Sequence, residues 1–302
     1  MSDTPYEHLI VETKNNVATI TINRPEVLNS FNGQTCEELI MAFTHAGWDK
    51  EVGVIVLTGA GDRAFCAGGD QSDKAGAYVG ARGTVGMPVE EVQSLIRDVP
   101  KPVIARVRGY AIGGGNVLAA LCDLTIASEN AIFGQVGPRM GSVDPGFGTA
   151  YLARIIGEKK AREFWYLCRR YTAQEALDMG LVNTVVPDEQ LDSEVDSWTA
   201  DIVERSPTAL AIAKRSFNAD SENIRGIGAL GMQALALYCR LSFGQLHRER
   251  PEVISAKLAG ALDFMSRYQA SSAEAAWGHF CLASQMRFWV MTCMASALSH
   301  FA

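Results

Sequence analysis

The chain has 302 residues, 48% of them hydrophobic and 20% charged, and a formal net charge of −7. That is enough apolar material for a large core, and the acidic balance excludes a protein that binds nucleic acid by neutralising phosphates, leaving small molecules as the expected partners. The seven cysteines are spread along the chain and never form a CxxC pair, which excludes a disulfide framework and a zinc site and predicts a reduced setting with no metal. The opening MSDTPYEHLIVETKN has no basic start followed by an apolar run, so a cytoplasmic protein without membrane contact is expected.

In chain order, HLIVET and VATITINR alternate on either side of Asn15-Asn16 and predict a hairpin. A helix is expected from Gly33 to Trp48. The runs VGVIVLTG (52–59) and KPVIARVRG (101–109) predict strands, each followed by a glycine-rich loop and then a helical pattern, an order that predicts repeated strand–loop–helix units in an α/β fold. LTIAS (124–128), AIFGQV (131–136) and LVNTVVP (181–187) predict further strands. From Ser206 the segment SPTALAIAKRSFN starts as a helix starts and keeps helical spacing.

Three glycine-rich stations interrupt this pattern: FCAGGDQ (65–71), GYAIGGGNVLAALCD (109–123) and FGQVGPRMGSVDPGFG (133–148). The third carries five glycines and argues against any regular helix or strand there. Each station alone reads equally as a tight turn. Glycines after strands also free backbone N–H groups to face a ligand, a helix starting at Gly114 or Gly115 adds its positive end, and two stations together can build a two-donor oxyanion hole. No station matches a dinucleotide fingerprint or a P-loop. Asp70 and Asp123 read as braces of glycine turns, and Cys66 as a small buried side chain.

Taken in order, NRPEVLNSF, AFCAGGDQ, KPVIARVRGYAIGGGNVLAALCDLTIAS and FGQVGPRMGSVDPGFGTAYLARIIGEKKARE resemble the crotonase (enoyl-CoA hydratase/isomerase) superfamily, from about residue 6 to residue 238. The resemblance implies a spiral of repeated ββα units over residues 1–205 and a helical trimerisation region over 206–238, assembled as a homotrimer or homohexamer. It implies an acyl-CoA thioester whose carbonyl oxygen accepts from the amides of Gly69 and Gly114. Ala67, Gly68, Asp70, Gln71 and Gly113 would line that substrate, and coenzyme A enters as part of it rather than as a cofactor. Arg63, Lys74 and Arg82 are candidates for its phosphates.

Hydratases of the superfamily carry one catalytic glutamate two residues after the GGG and a second two residues after the glutamine of the third station. Here Val117 and Gly137 stand there, so water has no such base and simple hydration is disfavoured. The pattern GxxxGSxDxGxG followed by AREFWYLCRRYTAQEALDMGLVNTVVP is similar to dihydroxynaphthoyl-CoA synthases, which close a ring by a Claisen condensation. GAGDRAFCAGGDQS, RGTVGMP and IRDVPKPVIARVRGYAIGGGNVLA are closer still to 2-ketocyclohexanecarboxyl-CoA hydrolases, which open the ring of a cyclic β-keto thioester to pimeloyl-CoA in anaerobic aromatic degradation. This resemblance implies C–C bond hydrolysis through a thioester enolate. Ser142 and Asp144 would handle the ketone and its proton, Asp144 as base or as orienter of Ser142, with Tyr78 on a loop over the substrate. Gln135, Gly137 and Trp165 match positions that hold a bicarbonate in some synthases, although Trp165 also reads as core. A Ser142 nucleophile with a histidine base is the competing scheme, and a non-catalytic scaffold is the reading from another class. The resemblance stops at Cys239. Residues 239–302 read as an atypical tail, either translated in a shifted frame or packed against a partner.

Overall fold

The computed structural model describes residues 6–71, 87–140, 142, 144, 146–219 and 221. The predicted hairpin is present: Leu9–Lys14 (β1) and Val17–Ile22 (β2) pair antiparallel across Asn15 and Asn16, whose left-handed φ values of 51° and 62° asparagine tolerates. Helix Gly33–Trp48 (α1) starts on a capping box, in which the Asn32 side chain accepts from the Thr35 N–H and the Thr35 hydroxyl accepts from the Asn32 N–H.

The spiral is then laid down two strands and a helix at a time. Val54–Gly59 (β3), Ala64–Cys66 (β4) and Val89–Asp98 (α2) form one unit, and Val103–Val107 (β5), Tyr110–Ile112 (β6) and Gly114–Leu121 (α3) the next. Leu124–Ser128 (β7), Ile132–Gly134 (β8) and Gly137–Met140 (α4) complete a third. In each unit the first strand joins a six-stranded sheet, ordered β1-β2-β3-β5-β7 and closed by Thr184–Val186 (β10), and the second joins a four-stranded sheet, β4-β6-β8, closed by Arg170–Thr172 (β9). The repeated strands pair parallel, so successive glycine stations fall on the same edge of the molecule. Between α4 and β10 in sequence lie Ala150–Ile156 (α5), Glu158–Leu167 (α6) and Ala173–Asp178 (α7), and after β10 come Leu191–Val203 (α8) and Pro207–Ala219 (α9).

All six residues of β3 are buried because both faces of the large sheet are covered. Ile55 and Leu57 point into the main core with Phe43, Phe65, Phe133 and Phe164. Val54 and Val56 point the other way, onto Ile104, Ile126 and the α8 residues Leu191 and Val195. Side chains alternate along a strand, so an unbroken apolar run is what a doubly covered strand requires.

Two expectations are corrected. The third glycine station is not free of regular structure, since Gly137–Met140 forms one helical turn. Its glycines stand at the edges, and Pro138, in the first turn, lacks an N–H that the turn does not need. The strands read from periodicity did not include β4, β6 and β9, of which β4 and β6 are second strands that the ββα resemblance implied; each is three residues long and abuts a loop. Of the region 206–238 the described part is residues 206–219, which hold α9, and Ser221, and the tail 239–302 lies outside the described residues.

Candidate active site

The first station leaves β4 as Ala67–Gln71, and the segment before α1 holds it in place. Phe31 donates its N–H to Gly68 O at 2.9 Å and accepts from Asp70 N at 2.8 Å, and Ala67 N donates to Leu28 O at 3.1 Å. The guanidinium of Arg24 pairs with the buried Asp70 carboxylate at 2.9 Å. Asn29, buried and left-handed at φ 56°, donates to the carbonyls of Ala60 and Ala64 and accepts from Arg24 N. The NRPEVLNSF motif therefore works as a clamp on the loop. Exposed Gln71 donates to Gly69 O at 3.1 Å. Buried Cys66 accepts from Gly68 N through its sulfur, and burial pushes its thiol up to about 12, so it stays protonated and is no nucleophile.

The two bonds of Phe31 skip Gly69. Among the described residues neither the Gly69 N–H nor the Gly114 N–H, the first amide of α3, donates a hydrogen bond. The two stations touch: a Cβ on Gly68, whose φ is +89°, would lie 2.9 Å from Gly114 N, and a Cβ on Gly114 would lie 2.5 Å from the Phe31 ring. Side chains are excluded at both places, and Gly113, at φ +60°, donates to Gly134 O and so ties the second station to the third. What results is two unspent amides, one of them on the positive end of a helix, as an oxyanion requires.

Beside α3 the loop after α4 brings in Asp144. Val117 Cγ2 and Asp144 Cγ stand 2.6 Å and 2.8 Å from the point a Gly148 Cβ would occupy, so the carboxylate borders the residue that replaces the first hydratase glutamate. Asp144 is buried; its Oδ2 accepts from Gly146 N at 3.2 Å and Gly148 N at 2.5 Å, and its Oδ1 accepts from the Gln93 amide at 3.0 Å. Burial holds its carboxyl above the ordinary aspartate value, while the bonds from Gln93, Gly148 and Gly146 pull it down. None of its described partners is Ser142, which is exposed and bonds through its N–H to Gly137 O at 2.9 Å. That geometry suits a base better than an orienter of the serine. Gln135 is buried, its Nε2 without a partner among the described residues, and Gly137 packs against Trp165 and the Ser142 carbonyl. Trp165 is in the core, as one reading expected, and its indole N–H donates to Gly148 O at 2.9 Å.

Of the other candidates, Tyr78, Lys74 and Arg82 lie outside the described residues. Arg63 is exposed. His8 and His45 are engaged with Thr35 and Tyr6 around α1, not with Ser142. Asp123 accepts from Val103 N and pairs with Lys214 at 2.7 Å, a brace between β5 and α9. Sequence reasoning missed Arg24, Asn29, Phe31 and Gln93; the first three sit in a motif quoted only for its resemblance, and Gln93 gave no signal. Among the described residues no cluster of His, Cys, Asp or Glu forms a metal site, and no helix is long and apolar enough to cross a membrane.

A family model described as enoyl-CoA hydratase/isomerase matches residues 12–236. The structure is similar to that of an enoyl-CoA hydratase from Bacillus anthracis, at 32% identity and a TM-score of 0.65, covering 76% of this chain and 89% of that one. An enoyl-CoA hydratase from Mycobacterium avium subsp. paratuberculosis is similar at 29% identity and a TM-score of 0.66, covering 84% and 99%. An enoyl-CoA hydratase/carnithine racemase from Magnetospirillum magneticum is similar at 28% and 0.66, covering 72% and 82%.

Proposed function

The chain belongs to the enoyl-CoA hydratase/isomerase family, and from that premise we propose that it opens the ring of a cyclic β-keto acyl-CoA, converting 2-ketocyclohexanecarboxyl-CoA to pimeloyl-CoA. One observation carries the reading: Val117 and Gly137 stand where the hydratase glutamates would stand, and a buried carboxylate, Asp144, borders Val117 from another loop. The base has moved, and the reaction follows it.

Asp144 takes a proton from water as the water oxygen adds to the ring ketone, leaving a tetrahedral alkoxide. The alkoxide collapses to a carboxylic acid and the bond between the ketone carbon and the α-carbon breaks. Its electron pair passes to the thioester as an enolate, whose oxygen accepts from Gly69 N–H and Gly114 N–H. Protonated Asp144 returns its proton to the α-carbon, and the new acid ionises to solvent. Atoms balance, with one water consumed. Exposed Ser142 holds the ketone oxygen. The ring-closing synthase uses the same enolate in the opposite direction, and the Gln135 Nε2, without a partner among the described residues, keeps it as the second reading.

The test is turnover of purified protein on 2-ketocyclohexanecarboxyl-CoA, with pimeloyl-CoA followed by mass and Asp144→Asn assayed beside it. Product from the wild type and a loss of about a hundredfold or more in the variant support the reading. A folded, thioester-binding protein that releases no pimeloyl-CoA sinks it.

A further inference from the structure

Gln93 is a fully buried polar residue on α2, and both ends of its amide are spent on the loop that carries Asp144. Its Oε1 accepts from Phe147 N at 3.0 Å and its Nε2 donates to Asp144 Oδ1 at 3.0 Å. A backbone N–H can only donate, so the oxygen end must face Phe147 and the NH₂ end is left for the carboxylate. The loop is shaped to admit it, because a Cβ on Gly146 would stand 1.8 Å from Gln93 Oε1. Any side chain at 146 evicts the glutamine.

The two carboxylate oxygens of Asp144 are therefore unequal. Among the described residues Oδ2 accepts from two backbone amides and is saturated, whereas Oδ1 accepts from Gln93 and keeps a second lone pair. We propose that Gln93 is the positioning residue of this site, holding Asp144 so that the open lone pair of Oδ1 is where the proton of the attacking water is taken. The inference rests on the reading of Asp144 as the base. Among the described residues three donors bond the carboxyl, a cage that suits its ionised form.

Charges on the neighbouring elements do not replace this arrangement. Helix α3 has no titratable residue, and α2 carries Glu90, Glu91, Arg97 and Asp98. Arg97 is turned to the rings of Phe147 and Tyr151, at 5.0 and 4.1 Å, and to Ser221. On α5 the titratable groups are Tyr151 and Arg154, and on α4 Arg139. The Asp144 carboxyl is shifted by burial, which raises it, and by the bonds from Gln93, Gly148 and Gly146, which lower it.

The experiment pairs two variants with two readouts. Gln93→Met keeps the length and removes both bonds; Gln93→Glu keeps the oxygen that Phe147 needs and sets a second carboxylate against Asp144. The Asp144 carboxyl is titrated by ¹³C NMR of aspartate-labelled protein without substrate, its signal assigned by Asp144→Asn, and kcat and KM are then measured on 2-ketocyclohexanecarboxyl-CoA. Gln93→Met is expected to raise the titration midpoint by about one pH unit and Gln93→Glu by more, since each withdraws a donor from the charged form. kcat falls by about ten- to a hundredfold with KM little changed. An unmoved midpoint in either folded variant, or a rise in KM with kcat intact, overturns the proposal. A wild type whose midpoint responds to Gln93 yet which forms no pimeloyl-CoA overturns the ring-opening reading alone, so the two failures are told apart.

Discussion

The indole N–H of Trp165 is spent on the carbonyl of Gly148, at 2.9 Å, and the N–H of the same Gly148 is spent on Asp144. One residue thus links the helix α6 to the carboxylate. Trp165→Phe keeps the ring and removes the donor, which leaves a buried carbonyl unpaired at a cost of about 1–3 kcal/mol. The urea midpoint is expected to fall accordingly, and kcat with it. An unchanged midpoint would mean that the bond contributes nothing.

The same bond bears on bicarbonate. The sequence resemblance implied a bicarbonate at Gln135, Gly137 and Trp165, but the indole N–H of Trp165 faces Gly148. With Asp144 supplying the base, turnover in carbonate-free buffer is expected to match turnover with added bicarbonate. Stimulation by bicarbonate would show that the indole leaves Gly148 and that the proton goes to the ion.

Gly114 owes its identity to Phe31. A methyl group at 114 would meet the Phe31 ring at 2.5 Å, and the Phe31 backbone is what bonds Gly68 and Asp70 on either side of Gly69. Gly114→Ala therefore displaces both amide donors at once, and loss of one such donor costs about a hundred- to a thousandfold in kcat. A drop in that range is expected, with partial recovery when Phe31→Leu makes room. If the single variant keeps full activity, the amides are not the oxyanion donors.

How much of this could be read from residues alone differs by element. The long runs were legible: β3 is apolar throughout because both its faces are covered, and α1 announces itself by the Asn32–Thr35 box and its spacing. β4 and β6 were not, since three residues give no period to measure. Asp144 was singled out through the GSxD pattern, but its hydrogen-bonded surroundings could not be read there. Gln93 lies on an amphipathic helix far back in the chain, where a glutamine reads as surface, and only the fold brings it against Gly146. Asn29 was equally silent, because a left-handed backbone that aims an amide at two distant carbonyls leaves no trace in spacing.

The charge on Asp144 sets activity against stability. Burial raises its native pKa above the unfolded value of about 3.9. A carboxyl raised in this way contributes stability that is present below the unfolded pKa and lost as pH rises through the native one. Wild type is thus expected to lose stability relative to Asp144→Asn as pH rises from about 4 through that native value, and to be level above it. kcat should rise over the same window as the base ionises. Urea midpoints of both proteins across the window decide it, since a wild type that gains on the variant would require a depressed pKa.

Lys214 fastens α9 to the core. Its buried ammonium donates to the carbonyls of Ile96 and Lys101 and pairs with Asp123, and burial lowers its pKa against the pull of that carboxylate. Beside it Asn218 donates to Arg97 O, and Arg97 reaches Ser221 from the face that also carries Phe147. Lys214→Met removes three bonds and strands two carbonyls, at about 1–3 kcal/mol for each group left unpartnered. Helix α9 should then detach before the spiral unfolds, which limited proteolysis reads as an early cut near Ser206 in the variant only. Phe147 lies in the Asp144 loop and meets both Gln93 and Arg97 of α2, so kcat should fall together with the resistance to that cut. A variant cut early but fully active would show that the site does not depend on α9.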